Sequence, residues 1–189
     1  FDNLTNNNGS KQNTTPNAYD LNALFADMKA KGCSYAVMEV SSHALYLDRV
    51  YACDFDIGLF TNITQDHLDF HKTMENYLDS KILLFGMCKK GAVNIDDARS
   101  DKVIKNAKCE TLTFGADKNA DIKAENIQMY SDKVTFEAFG EEFEVKIPGK
   151  FSVYNALSAI SICSLAGINS KDIAAGLKKA NGVKGRAQV

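Results

Sequence analysis

Short apolar runs alternate with helix-patterned segments through the first two thirds of this 189-residue chain. Four runs have the length and apolar content of buried strands, and they are SYAVMEV (34–40), DIGLFTNI (56–63), GAVNI (91–95) and ETLTFG (110–115). Helical spacing is found between Pro16 and Gly32, over 73–88 with Thr73 as a cap, and over 98–106. Because parallel neighbours need a crossover, usually helical, this alternation predicts an α/β fold with a mostly parallel sheet flanked by helices.

The pattern changes after residue 120. Three segments show period-two alternation, with Gly140 between the last two, and they are 121–130, 132–139 and 141–147. Such alternation is typical of half-buried antiparallel strands, so we expect a small antiparallel β subdomain. Two helices should follow, over 151–166 and 170–180.

The start of the chain differs in composition from the rest. Residues 1–15, FDNLTNNNGSKQNTT, are polar and rich in asparagine, which predicts a loop or frayed start. Residues 16–189 are then expected to form one domain, and this length suffices for a sizeable core.

The overall charge and hydropathy argue against two classes of partner. With 22 basic and 24 acidic side chains the net charge is -2, so nothing electrostatic favours nucleic acid or an anionic membrane. No apolar run approaches the roughly 20 residues that span a bilayer. The five cysteines include no C-x-x-C pair, which predicts reduced, mostly buried thiols in a cytoplasmic protein.

Polar side chains follow two of the predicted strands. The first strand runs into Glu39 to His43, and the second runs into a segment, Thr61 to His71, rich in histidine and acidic residues. Ligands of open α/β sheets bind beyond the carboxyl ends of strands. Carboxylate and imidazole groups there would suit a hard divalent ion such as Mg²⁺ or Mn²⁺. Alternatively, Glu39 pairs with Arg49 and the acidic residues only cap or line loops.

Lys81 is placed unexpectedly on the predicted helix 73–88. At about 100° per residue it falls among apolar side chains, including Tyr77, Leu78 and Phe85. Three explanations remain open from the residues alone. The lysine extends its head to water, or it pairs with a carboxylate, or it loses its proton and reacts with CO2 to give an anionic carbamate.

Several motifs together resemble a known family. In chain order they are TTP (14–16), MEVSSHAL (38–45), Arg49, FTNITQDHLDFH (60–71), the lysine of YLDSKILLF (77–85), VNIDD (93–97), GKFSVYN (149–155) and GR (185–186). This set resembles the central domain of the Mur ligases, closest to the UDP-N-acetylmuramyl-tripeptide synthetase (MurE) type. The resemblance covers almost the whole chain from Thr14 and implies a P-loop-type domain.

The resemblance implies an ATP-dependent ligase of peptidoglycan synthesis, a cytoplasmic enzyme of cell-wall formation. It would add the third amino acid to UDP-N-acetylmuramoyl-L-alanyl-D-glutamate through an acyl phosphate. The resemblance implies that Glu39 holds the Mg²⁺ that bridges the ATP phosphates, and that His67 and a carbamate on Lys81 serve a second Mg²⁺ near the acyl phosphate. The implied contacts to the UDP-muramoyl substrate are Thr14, Thr15, Ser41 and Arg49. The implied residues on the ATP side are Asn155 and Arg186.

The chain also departs from the family pattern. The phosphate-binding loop of the form G-T-N-G-K-T is absent, and Gly9-Ser10-Lys11 lacks its spacing. We therefore expect a fragment, without that loop and without the C-terminal domain, that is inactive alone. The alternatives are another Mur ligase, a folylpolyglutamate synthetase relative, or a non-catalytic binding domain with the same fold.

Overall fold

The computed structural model of the protein describes residues 13–180. Contacts within the chain divide it into two compact units, one up to Cys53 and one from Asp54 onward. Most of the predicted polar loop at the start, and Arg186 near the end, lie outside the described residues.

Two helices form the described part of the first unit, α1 (Ala18–Ala30) and α2 (Ser42–Tyr46). Asn17 caps α1, since its side chain accepts the backbone N–H of Asp20, and Leu21 is buried beneath the helix. Gly32 follows α1 with a φ of 80°, a left-handed conformation that favours glycine. The predicted helix before Gly32 is therefore confirmed.

The predicted strand over 34–40 is wrong. In the described part of the chain this segment pairs with no strand, and Tyr35 and Val37 are 77% and 89% exposed. An apolar run becomes a strand only when a neighbour satisfies its backbone groups, and composition does not reveal whether that neighbour is present.

The second unit is built on a four-stranded parallel sheet whose spatial order matches the chain order. Its strands are β1 (Phe55–Phe60), β2 (Cys88–Asn94), β3 (Glu110–Gly115) and β4 (Ile122–Lys123). The connections contain α3 (Leu68–His71), α4 (Met74–Ile82), a 3₁₀ turn (Leu83–Gly86) and α5 (Ser100–Asn106). The predicted parallel α/β fold is confirmed.

Strand β2 is buried on both faces of this sheet. Ala92 packs into an apolar cluster with Phe114 and Leu157, whereas its neighbour Val93 packs into a second cluster with Tyr77. Successive side chains of a strand point to opposite faces, so one strand contributes to both cores. This arrangement fixes the register of the sheet and the position of its carboxyl edge.

The predicted helix 73–88 is too long. Thr73 caps α4 as expected, through a bond from the N–H of Asn76, but α4 ends at Ile82 and the 3₁₀ turn follows. Cys88 already pairs with Phe55 as the first residue of β2. The gain from pairing with β1 overrides the helical spacing of the last residues.

A three-stranded antiparallel sheet follows, with β5 (Glu125–Met129), β6 (Val134–Ala138) and β7 (Glu141–Val145). Two helices complete the unit, α6 (Lys150–Leu165) and α7 (Ser170–Lys179). Phe136 and Phe143 stack with ring centroids 5.6 Å apart and belong to the same apolar cluster as Leu157. The predicted antiparallel subdomain and both helices are confirmed.

The five cysteines are free thiols, but they are less buried than expected. Only Cys53 is buried, Cys33 is exposed, and the other three are half-buried. No helix within residues 13–180 has the length and apolar character needed to cross a membrane.

Candidate active site

Thr15 organises the polar residues of the first unit. Its side chain is fully buried, and its hydroxyl donates to the carbonyl of Glu39 and accepts the N–H of Ser41, each at 3.0 Å. The backbone around residues 39–41 is therefore held by a residue 24 or more positions earlier in the chain. In the structure, Thr15 holds the backbone of this segment in place. Its contact with a substrate stays a prediction.

The other predicted residues of this unit surround the same segment. Ser41 caps α2, since its Oγ accepts the N–H of Ala44 at 3.2 Å, and Arg49 Nη1 lies 3.5 Å from the carbonyl of Thr15. Thr14 and Glu39 are exposed. The structure thus brings Thr15, Ser41 and Arg49 together and leaves the carboxylate of Glu39 in solvent. The alternative ion pair between Glu39 and Arg49 is not among those formed within residues 13–180.

In the second unit, the end of β2 braces the segment that follows β1. The Asn94 amide donates to the carbonyl of Thr61 at 2.8 Å, and Asp97 accepts the N–H of Ile63 at 2.9 Å. These bonds join the carboxyl ends of neighbouring parallel strands, where ligands of α/β sheets bind. The motif VNIDD (93–97) does not by itself assign roles to Asn94 and Asp97, although two acidic residues directly after an apolar strand are a usable signal.

His67 adopts a strained backbone conformation at the start of α3. Its φ is 54°, in the left-handed region, and its side chain makes no cap bond to the helix. Its backbone N–H donates to Asp66 Oδ1 at 2.7 Å, and its ring Nδ1 lies 3.5 Å from the same oxygen. Non-glycine residues in this region store about 1–3 kcal/mol and cluster at functional sites. The imidazole is exposed, so it remains accessible to a ligand.

Tyr77 connects the two predicted metal-side residues of this unit. Its buried ring meets the His67 ring edge-on at 5.9 Å between centroids, and Lys81 Nζ lies 5.3 Å from the ring centroid. The ring also stacks on His71, with centroids 5.1 Å apart. Burial, aided by the negative charge of Asp66, raises the pKa of the Tyr77 phenol above its ordinary value. Sequence reasoning missed this role, but Tyr77 and Lys81 are i and i+4 on one helix and therefore adjacent.

Lys81 is half-buried on α4, as its place among apolar side chains predicted. Tyr77, Leu78 and Phe85, its apolar neighbours in the predicted pattern, are all buried, with exposures of 7% or less. An ammonium group over an aromatic face is attracted to the ring, so this geometry suits the cation. The carbamate that the family resemblance implies at this lysine stays a prediction.

Asp96 joins three elements at the carboxyl edge of the sheet. Its carboxylate accepts the backbone N–H groups of Ala116, Asp117 and Lys118 at 2.7–2.9 Å, and the Tyr154 hydroxyl at 2.9 Å. Burial alone would raise the pKa of Asp96, but these four donors outweigh burial and the pKa lies below its usual value. Burial and the adjacent carboxylates raise the pKa of Tyr154.

Asn155 follows Tyr154 in the first turns of α6 and is exposed. Gly149 precedes the helix with a φ of 102°, and a β-carbon there would lie 2.8 Å from the Phe151 ring. Glycine is therefore required at the turn that starts this helix. The predicted nucleotide contact is thus held on a helix anchored by Asp96, whereas Arg186 lies outside the described residues.

The donor chemistry suits Mg²⁺ only in part. Glu39 and His67 offer an exposed carboxylate and an exposed imidazole, but Lys81 can act as a ligand only as an anion. Among residues 13–180, no three His, Cys, Asp or Glu side chains converge to hold a metal ion. The predicted set of Glu39, His67 and Lys81 therefore stays a prediction.

Comparison with known proteins decides the family. The model of the Mur ligase middle domain matches residues 3–163. The chain belongs to the Mur ligase middle-domain family. It is 47% identical over 180 residues to a UDP-N-acetylmuramoyl-L-alanyl-D-glutamate--2,6-diaminopimelate ligase of Clostridium botulinum. The aligned region covers 93% of this chain and 37% of that relative. A ligase of the same name from Clostridium acetobutylicum is 46% identical over 180 residues, which again cover 93% of this chain and 37% of the relative.

Solved structures agree with this assignment. A UDP-N-acetylmuramoyl-L-alanyl-D-glutamate--2,6-diaminopimelate ligase superposes with a TM-score of 0.80 at 29% identity, over 90% of this chain and 37% of that one. MurF from Acinetobacter baumannii superposes with a TM-score of 0.64 at 22% identity, over 69% and 30% of the two chains, which shows the shared fold alone. The Mur ligase middle domain described here thus spans about 37% of the length of the relatives it matches.

Proposed function

We propose that this Mur ligase middle domain is the ATP-handling part of a cytoplasmic enzyme that adds 2,6-diaminopimelate to UDP-N-acetylmuramoyl-L-alanyl-D-glutamate. The observation that supports this most directly is the 47% identity to a ligase of that name over 93% of the chain. The choice of diaminopimelate rests on the relatives' names, because the sequence analysis left the third amino acid open.

The proposed reaction is an amide ligation driven by ATP. The D-glutamate carboxylate attacks the γ-phosphorus, which gives an acyl phosphate and ADP. The amine of the incoming amino acid then attacks the acyl carbon, and the tetrahedral intermediate expels inorganic phosphate as the amide forms. A solved MurF of Thermotoga maritima is described in complex with ADP, which is consistent with nucleotide use on this fold.

The first unit would contribute to the UDP-muramoyl side of the site. Thr15 fixes the segment around Glu39 and Ser41 through two hydrogen bonds of 3.0 Å, and Arg49 is held near the carbonyl of Thr15. Thr14, Thr15, Ser41 and Arg49 would then contact the substrate. An arginine suits this role because its planar guanidinium binds phosphate and carboxylate groups in a defined orientation.

The second unit would hold the groups nearest the reacting phosphoryl. His67 presents an exposed imidazole on a strained backbone, and Lys81 shares the Tyr77 ring with it. Glu39 of the first unit would hold one Mg²⁺, and His67 and a carbamate on Lys81 would hold a second. When bound, the metal would supply the positive charge that phosphoryl transfer requires. Asn155 and Arg186 would contact the nucleotide.

The carbamate requires Lys81 to lose its proton. The neutral amine attacks CO2, and release of a proton leaves a carboxylate-like anion. Half-burial among Tyr77, Leu78 and Phe85 favours the neutral amine, whereas the aromatic ring favours the ammonium. An ammonium would repel Mg²⁺ whereas the anionic carbamate would attract it, and this difference supports the carbamate.

Direct assay tests the proposal. A full-length ligase carrying this segment is incubated with ATP, Mg²⁺, UDP-N-acetylmuramoyl-L-alanyl-D-glutamate and either diaminopimelate or L-lysine. We expect a UDP-tripeptide product with diaminopimelate, formed together with ADP and phosphate. Product with L-lysine alone would overturn the choice of amino acid, and product with neither would overturn the tripeptide-ligase assignment. Activity only on another Mur substrate or on a folate would favour the alternatives considered above.

A further inference from the structure

Two half-buried thiols lie next to one another at the amino-terminal edge of the parallel sheet. Cys88 is the first residue of β2, and Cys109 directly precedes β3. Their sulfur atoms are 3.6 Å apart and form a thiol–thiol hydrogen bond. The other three cysteines belong to other parts of the sequence, and Cys33 and Cys53 lie in the first unit.

The fold places these sulfurs together through tight packing. A β-carbon at Gly58 of β1 would lie 2.8 Å from Cys88 Sγ, so the absence of a side chain there makes room for the thiol. Cys109 packs against the same apolar cluster as Cys88. The pair is thus held by β1, β2 and the start of β3.

We propose that Cys88 and Cys109 are a redox modification site that closes to a reversible disulfide under peroxide. Closing the bond brings the sulfurs from 3.6 Å to about 2.0 Å, a movement of about 1.6 Å. Because Lys90 of β2 pairs with Glu110 of β3, Cys109 is offset by one residue from the position opposite Cys88. A strand spacing of about 4.8 Å and a rise of about 3.3 Å per residue then give a Cα separation of about 5.8 Å, within the range of about 4.4–6.8 Å that disulfides bridge. Rotation of the two side chains is therefore the main change required.

The chemistry divides the two sulfurs into an attacking and a resolving thiol. Burial, followed by the hydrogen bond to Cys109, raises the pKa of Cys88 to about 12, so Cys88 is protonated at neutral pH. Cys109 Sγ attacks hydrogen peroxide, which gives a sulfenic acid and one water. Cys88 Sγ then attacks the sulfenic sulfur, loses its proton, and releases a second water as the disulfide forms. Overall, two thiols are oxidised and one peroxide is reduced to two waters.

The location of the pair predicts a modification that leaves the ligase chemistry intact. Cys88 begins β2, whereas Asn94 and Asp96 lie at the other end of the strand. The disulfide would connect the starts of two strands that are already paired. The inference is therefore independent of the proposed function, and ligation should change less than about two-fold on oxidation, a fraction of a kcal/mol.

Peptide mapping of the oxidised protein tests the site. The reduced full-length protein is treated with a small excess of hydrogen peroxide, alkylated, and digested with trypsin without reductant. Cleavage after lysine places Cys88 in peptide 82–89 and Cys109 in peptide 109–118. We expect these two peptides to be recovered mainly as one linked species, lighter by about 2 Da than their sum, which dithiothreitol separates.

Two serine variants provide the controls. Cys163→Ser should retain the linked species, because Cys163 on α6 packs against the cluster of Leu157, whereas the pair packs against the cluster of Tyr77. Cys109→Ser should abolish it and leave Cys88 alkylated. Circular dichroism of Cys109→Ser checks that this variant is folded. Recovery of Cys88 as free thiol with Cys109 overoxidised, or linkage of either cysteine mainly to Cys33, would overturn the proposal.

Discussion

Lys81 lies half-buried on α4 with its nitrogen 5.3 Å from the centre of the Tyr77 ring. The position permits two chemically opposite states. An ammonium is attracted to the ring, whereas a carbamate carries negative charge and suits a divalent cation. The distinction between these states is accessible to spectroscopy, because the carbamate carbon comes from CO2.

We predict that the full-length protein, supplied with ¹³CO2, Mg²⁺ and ATP, shows a carbamate signal in its ¹³C NMR spectrum. Lys81→Arg should lose the signal, because arginine retains its proton and its charge. Lys105→Ala, at an exposed position on α5, should keep it. A signal that survives Lys81→Arg would assign the carbamate to another lysine.

His67 combines an exposed imidazole with a left-handed backbone at φ 54°. Replacement by glycine and by alanine separates these two properties. Both variants should lose about 100-fold or more in ligation, because both lack the imidazole. His67→Gly should be about 1 kcal/mol more stable than His67→Ala, since glycine tolerates this conformation. Equal unfolding free energies in denaturant titrations would contradict the strain at this residue.

The sequence predicts polar side chains after two of the strands but not how single residues are used. The motifs indicate Glu39, His67 and Lys81, but the spacing of residues in the sequence does not reveal their backbone conformations or contacts. The buried hydroxyl of Thr15 and the shared ring of Tyr77 depend on tertiary contacts. Local patterns contain no information on such contacts, since the partners are distant in the chain or depend on rotamers.

Strand β2 requires a glycine where the 3₁₀ turn packs on it. A β-carbon at Gly91 would lie 2.8 Å from two atoms of the Phe85 ring, whereas one at Gly176 on α7 would meet nothing within 4 Å. Gly91→Ala should lower the free energy of unfolding by about 1–3 kcal/mol through overpacking. Gly176→Ala should raise it by about 0.5–1 kcal/mol, because alanine favours the helix. Chemical denaturation measures both, and a harmless Gly91→Ala would contradict the tight packing of β2 on the 3₁₀ turn.

The turn after β2 is stabilised by the charge of Asp96. Because the pKa of Asp96 is lowered in the folded state, its contribution is present above the unfolded pKa of about 3.9 and is lost as pH falls through the folded value. Asp96→Asn should lower the unfolding free energy by about 2 kcal/mol at pH 7. The difference between wild type and variant should shrink below pH 4, and a difference that stays constant down to pH 2 would contradict this account.

At the scale of elements, strong periodic patterns predicted the helices and strands, but their ends were less accurate. The predicted helix 73–88 is longer than α4, because the residues around Cys88 have helical spacing but pair with β1. The apolar run 34–40 has the composition of a strand, but composition does not show whether a partner strand is available. Tertiary pairing decides both cases, and it is not a local property.

At the scale of the whole molecule, the sequence predicted the class of fold correctly. Strict alternation of strands and helices allows few topologies, and the period-two region marked the antiparallel sheet. The two units, divided after Cys53, were not foreseen, because the chain has no linker-like composition at that position.

The middle domain spans about 37% of its relatives' length, and we predict that it does not complete ligation by itself. The 189-residue chain, assayed alone with ATP and both substrates, should give no UDP-tripeptide above background. A full-length ligase carrying the segment serves as the positive control under the same conditions. Turnover by the chain alone at a comparable rate would show that the groups needed for catalysis all lie within it.

We propose that Lys81 and His67 serve phosphoryl transfer in a ligase that adds diaminopimelate to the UDP-muramoyl dipeptide. The rate of UDP-tripeptide formation, measured by mass spectrometry in full-length wild type, Lys81→Arg and Lys105→Ala, tests this role of Lys81. We expect product from wild type and Lys105→Ala and a loss of about 100-fold or more for Lys81→Arg. Equal rates in all three proteins, or no product from wild type, would contradict it.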